Sequence, residues 1–229
     1  MSTTNKVLSL RLLKALLHLF VGAAVLGVIH QYDTVSAGLL LFVAMIVYWS
    51  TYAKQPSAQR AALLLAGGFA TGLFGVMAEY WGISFGHWVY HDLADERTFA
   101  RWLPFAWMIA FIFLYRVEES LIRHLKIRSL KEKLILVAVL SAVLPTCGEI
   151  VAINFGVWTY AWDYQLLGVP LLAIILLMVF HTSIFLALTL VCRRYEIEDN
   201  VFGCSQKQCQ SMRSCEIDLV DVERDTIEI

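Results

Sequence analysis

Two stretches of the chain, "EYWGISFGHWVY" (residues 79–90) and "EIVAINFGVWTY" (residues 149–160), share Glu, Ile, Phe, Gly, Trp and Tyr at six of twelve aligned positions. Each closes a long apolar run. Each then leads through a polar loop to a proline, Pro104 or Pro170, that opens another apolar run. A proline early in a helix costs little, because the amide it lacks has no intrahelical partner there. A unit of apolar helix, acid, aromatic phrase, loop and apolar helix therefore occurs twice.

The rest of the chain has the same character. Of its 229 residues 59% are apolar and 16% charged, against roughly 45–50% and about 25% in soluble domains. The apolar residues fall into runs at about 9–30, 36–53, 61–82, 102–120, 133–153 and 170–192. Each run is close to the roughly 20 residues that cross a bilayer as a helix. Backbone groups in hydrocarbon must be satisfied internally, so the expected fold is all-α and polytopic, with six transmembrane helices. The first run lacks a small-x-small cleavage site and reads as a span rather than a leader. Spans three and four repeat as spans five and six. Both copies enter from the same side, which makes the repeat parallel, about an axis along the membrane normal.

Sixteen of the eighteen Lys and Arg residues fall on one side of this arrangement, and Arg97 and Arg101 on the other. The positive-inside rule places both termini in the cytoplasm. The net charge of −1 offers nothing to nucleic acid. The loop acids Asp33, Asp92, Asp95, Glu96 and Asp163 read as wet outer loops, and Arg116, Glu118 and Glu119 as solvated charges ending span four.

Residues 1–195 read as the membrane domain and 196–229 as an acidic, disordered cytoplasmic tail. Cys204, Cys209 and Cys215 sit in that tail, where thiols stay reduced, and their spacing does not suit zinc. Cys192, at a helix end, is a candidate for palmitoylation.

Glu79 and Glu149 stand out. Counted from Lys133, Glu149 is about 24 Å up its helix, just inside the far hydrocarbon boundary, and Glu79 comes out alike. A carboxyl there is expensive, so it faces protein or a cavity and has a task. Kept dry, it holds its proton until something accepts it. Two in matched positions can share one cavity and titrate as a pair. The simpler reading makes the aromatics an interfacial belt and each Glu a helix-end tie; matched register weighs against it. Pro145, four residues before Glu149, is expected to kink its helix and open room there. His18 and His181 read as inter-helix hydrogen-bond partners. His87 and His91, four apart, would share a face if helical, but the second copy has Val157 and Ala161 there. No metal site is expected, since histidine-box and acidic diphosphate-binding motifs are missing from the sequence.

These pieces resemble the bacterial carotenoid 1,2-hydratase-like integral membrane family and, more distantly, the membrane lycopene cyclases. They are Glu79, Phe85, Gly86, Trp88 and Tyr90 with "LPFAW" at 103–107, and Glu149, Phe155, Gly156, Trp158 and Tyr160 with "GVP" at 168–170. The resemblance covers about 79–110 and 149–175. The cyclases carry acids just after the proline; here Pro104 precedes Phe-Ala-Trp and Pro170 precedes Leu-Leu-Ala, so hydration fits better than cyclization. It implies a bacterial inner membrane, a hydrophobic isoprenoid or lipid substrate, and water addition to an alkene without a cofactor. Glu79 and Glu149 would be the acid–base pair. Phe85, Trp88, Tyr90, Trp107, Phe155, Trp158 and Tyr160 would line the site, their faces suited to a carbocation. The same residues also admit a binding or transport role, and the tail admits a scaffold.

Overall fold

The computed structural model describes residues 3–93 and 97–203, with side chains from Ser9 onward. Asp95, Glu96, Cys204, Cys209 and Cys215 lie outside the described residues. The described chain holds six helices: α1 (Thr3–Ile29), α2 (Asp33–Tyr52), α3 (Ala58–Ser84), α4 (Leu103–Leu125), α5 (Leu130–Asn154) and α6 (Leu171–Tyr195). Five are long and apolar enough to cross a membrane, consistent with a membrane protein. The exception is α4. Every 18-residue stretch of it contains at least three of Arg116, Glu118, Glu119 and Arg123.

These charges are tolerated because α4 lies inside the bundle, against α1, α2, α3 and α5. Glu118 is fully buried, its Oε1 2.7 Å from His181 Nε2 on α6. Glu119 accepts from Arg60 of α3 at 2.8 Å. Arg116 donates to Thr51 Oγ1 of α2 at 2.6 Å. The expectation that Glu118 and Glu119 are solvated helix-end charges is therefore corrected. The helix continues to Leu125, which puts both residues well inside it.

Ser57 and Ser129 cap α3 and α5, accepting from the amides of Arg60 and Glu132 at 3.2 Å. Both helices accordingly start three residues before their apolar runs. At their other ends the doubled phrase folds alike. The amides of Gly86 and Gly156 reach back three residues, to Ile83 and Ile153, and those of His87 and Val157 reach back five, to Gly82 and Ala152. This is a Schellman stop, and it needs a left-handed residue after the helix. Gly86 and Gly156, at φ of +70° and +75°, supply it.

Beyond each stop lies a three-residue strand, β1 (Trp88–Tyr90) and β2 (Trp158–Tyr160). The two pair antiparallel, with Trp88 opposite Tyr160, Val89 opposite Thr159 and Tyr90 opposite Trp158. His87 and His91 flank an extended segment, so they do not share a helical face. A second ribbon, β3 (Gln165–Leu166) with β4 (Val169–Pro170), turns through Leu167 and Gly168 at positive φ and delivers the chain into α6. The end carrying the strands is called the ribbon end below; the opposite end, with Arg11, Lys14, Arg116 and Arg123, is the basic end.

Near the ribbon end Asp33 is 1% exposed rather than wet, accepting from the side chain of Arg97 and from the amide of Arg101. At the basic end, residues 196–203, assigned from sequence to the tail, fold back into the bundle. Val201 and Phe202 are buried in the main core beside Phe111, Tyr115 and Phe185. Asp199 Oδ2 accepts from Arg60 Nε at 2.7 Å and from the Tyr115 hydroxyl at 2.8 Å. Its Oδ1 accepts the amides of Val201 and Phe202. Lys133 adds a bond to the Gly203 carbonyl. Cys192 is 2% exposed in the same core, which removes it as a palmitoylation site.

Candidate active site

Strand alternation sets the site. In W-x-Y the first and third residues share one side of a strand; Val89 and Thr159 face outward, while Trp88, Tyr90, Trp158 and Tyr160 face inward over the ends of α3 and α5. Glu79 and Glu149, one to two turns before those ends, rise to meet them. Glu79 Oε2 accepts from Trp88 Nε1 and from the Tyr90 hydroxyl, each at 2.9 Å. Glu149 Oε2 accepts from the Tyr160 hydroxyl at 2.8 Å. Burial and the neighbouring Glu79 carboxylate push the Tyr90 phenol well above its ordinary range. Burial and Glu149 do the same to Tyr160. Both phenols therefore keep their protons and act as donors.

The two carboxyls line one cavity of about 790 Å³ and are close enough for the charge on one to act on the other. Trp107 lines it too, packed on Phe180 at 5.1 Å, as does Trp102 in edge contact with Tyr90 at 5.8 Å. Close approach to α3 positions these aromatics. A Cβ on Gly75 would lie 2.5 Å from the Trp107 ring, and one on Gly82 would lie 1.9 Å from Trp88. The glycines are a packing surface that makes room for indoles. Pro145, which cannot donate to the Ser141 carbonyl, also lines the cavity, one turn from Glu149.

Of the nine residues expected at the site, seven line the cavity together: Glu79, Trp88, Tyr90, Trp107, Glu149, Trp158 and Tyr160. Phe85 and Phe155 do not. Phe85 is 69% exposed beside His87 and Trp81. Phe155 points at α1, where Gly27 leaves space for its ring. Each Phe sits at the helix stop, one residue before the glycine, and so leaves the bundle where the strand residues enter it.

The two copies differ. Glu79 has two donors on one oxygen, Glu149 one. The indole N–H groups of Trp158 and Trp102 are buried at the cavity without a partner. The Trp162 indole, beyond β2, donates to His87 Nδ1 at 3.1 Å and roofs the ribbon. Sequence reasoning missed Trp102, although it directly precedes "LPFAW". His181 is an inter-helix hydrogen-bond partner as expected, bonded to the buried Glu118, whose part sequence reasoning missed, and it lines the cavity lower down; His18 instead bonds the Lys14 carbonyl of its own helix. Taken together the site offers two carboxyls, two phenols held as donors, two orphan indole donors and an apolar channel. Comparison with known protein families, with curated proteins and with solved structures finds no match, so the family resemblance rests on the quoted residues.

Proposed function

We propose that the protein is an integral membrane enzyme that adds water to the alkene end of an isoprenoid, akin to the carotenoid 1,2-hydratase-like family. In this reading all six helices cross the membrane, α3–α4 and α5–α6 descend from one duplicated unit, and the basic end faces the cytoplasm of a bacterial cell. The observation that carries the proposal is the convergence of Glu79 and Glu149 on one apolar cavity, each tied to the tyrosine of its own W-x-Y strand.

Two donors on one oxygen suit Glu79 to the acceptor's part, and Glu149, with one, to the donor's. Glu149 delivers its proton to the less substituted alkene carbon, forming a C–H bond as the π bond breaks. The tertiary cation left behind lies against the faces of Trp88, Trp158 and Trp107. Water held by Glu79 attacks, the C–O bond forms, and the surplus proton passes to Glu79. Transfer of that proton back to Glu149 restores the site. The sum is alkene plus water to tertiary alcohol, with no cofactor.

The test is chromatography and mass spectrometry of isoprenoids from lycopene-accumulating cells, and from membranes supplied with shorter prenyl chains. Wild type, Glu79→Gln and Glu149→Gln are compared. Products heavier by one water in wild type alone support the reading. Unchanged isoprenoids beside well-folded wild-type protein overturn it and favour the second reading, a lipid-binding or transport protein, for which the size of the cavity speaks.

A further inference from the structure

The cavity does not end at the ribbon. It runs down between α1, α2 and α4, and at the basic end Arg11, Lys14, Arg116 and Ser120 line it. Trp107 and Ser120 stand thirteen residues apart on α4, about 20 Å along its axis. Between them the wall is mostly apolar, with Leu19, Val43 and Ala110 among its residues and His18, Thr71 and His181 as its polar members. The ends have opposite character. The acids among the described lining residues are Glu79 and Glu149, both at the ribbon. At the basic end Arg11 donates to Ser120 at 2.8 Å and Arg116 to Thr51 at 2.6 Å, while Glu118 is paired with His181, itself a lining residue, and Glu119 with Arg60. Among the described residues Arg11, Lys14 and Arg116 have no acidic partner.

A largely apolar channel with three solvent-exposed cations at one end, none of them paired with an acid among the described residues, matches an anionic amphiphile. Two guanidinium forks, an ammonium and nearby hydroxyls suit the several oxygens of a phosphate better than the two of a carboxylate. We propose that the cavity holds a single-chain amphiphile with a phosphate head, its head at Arg11, Lys14 and Arg116 and its tail end at Glu79 and Glu149. This names the substrate class of the proposed hydratase as a prenyl phosphate, and it rests on that reading only for the reaction at the tail; the binding claim stands apart from turnover.

The experiment is tryptophan quenching in the purified full-length protein in neutral detergent, because Trp88, Trp102, Trp107 and Trp158 line the ribbon end. The probes are hexadecyl phosphate brominated at its tail, the same brominated next to its head, and tail-brominated hexadecanol and palmitate. The tail-brominated phosphate should quench more than the head-brominated one and bind at least tenfold tighter than the alcohol. Arg11→Gln with Arg116→Gln should reduce it to the alcohol's affinity, and the single change Lys14→Gln should weaken it several-fold. Gly22 lines the cavity with no atom within 4 Å of its Cβ position, so Gly22→Phe should block every probe while the cations stay in place. Quenching is read without turnover, so failure of binding is told apart from failure of hydration, which is read as product in the mass-spectrometric assay. Equal affinity for phosphate and alcohol, for phosphate and palmitate, or for a two-chain phosphatidic acid would overturn the assignment. So would stronger quenching by bromine at the head.

Discussion

Tyr160 is the side chain on which Glu149 depends. Removing its hydroxyl leaves the carboxyl without its protein donor, and a hydrogen bond to a charged group contributes about 1.5–3 kcal/mol. If the protein is the hydratase proposed above, Tyr160→Phe lowers hydration about tenfold or more with the fold intact. Glu79→Gln and Glu149→Gln should lower it by about 10²–10⁴-fold, the range of general acid–base catalysis. Both are read as product formed per amount of folded protein. Gly82→Ala tests packing instead. The added carbon meets Trp88 at 1.9 Å, so the indole must leave Glu79, at a cost of about 1–3 kcal/mol typical of overpacking. Thermal unfolding should show the loss, with Gly22→Ala as the harmless counterpart. At this scale the sequence was informative about the acids and poor about directions. Phe85 and Phe155 carry the same spacing as the site residues, yet a left-handed glycine one position later turns the chain and leaves them outside.

At the scale of elements, W-x-Y spacing is the period of a strand. It reads as an aromatic belt only while no partner is in view, and the partner lies seventy residues away. Pairing that distant leaves no local trace, so the ribbon was invisible while the helices, written in continuous apolar runs, were plain. The ribbon makes a prediction of its own. Val89 and Thr159 stand directly opposite each other, at the Cα separation of roughly 4.5–5.5 Å of antiparallel neighbours, which a disulfide can span. The double variant Val89→Cys with Thr159→Cys should cross-link on mild oxidation, seen as a mobility shift that reductant reverses. Absence of the link in folded protein would refute the register. Helix α4 shows the opposite failure. Its charges ended the apolar run early, and burial of Glu118 against His181 depends on a helix that sequence hydropathy cannot place next to it.

For the whole molecule, the segment 196–203 changes how a cytoplasmic scaffold and an enzyme are told apart. Cutting the chain after Tyr195 would remove Val201 and Phe202 from the core; Phe202→Ala alone is expected to cost about 3–5 kcal/mol. Loss of function after that cut would report unfolding, whatever the tail does. A cut after Gly203 keeps the folded segment, and the hydratase reading expects it to retain activity. A scaffold that works through residues 204–229 would lose function on the same cut. Asp199→Ala should destabilise by about 3–5 kcal/mol, as removal of one partner of a buried ion pair does, detected by earlier thermal unfolding in detergent.

The Arg60–Asp199 contact also imposes an order on biogenesis. Arg60 opens α3, but its counterion is 139 residues further along the chain. At ordinary rates of synthesis that distance takes on the order of ten seconds. Only in about the second half of that interval are α3 and α4 both made, and until Asp199 is made the guanidinium has Glu119 and Tyr115 as its side-chain partners. The Arg60–Asp199 contact becomes possible only once Asp199 is made, and Val201 and Phe202, next in the chain, lie in the core beside it. A chain that stops before Asp199 contains all six helices but lacks the carboxylate on Arg60 Nε and the aromatic and aliphatic side chains, Phe202 and Val201, that fill the core beside it. Residues 196–203 thus close a seam whose other side is laid down at the start of α3.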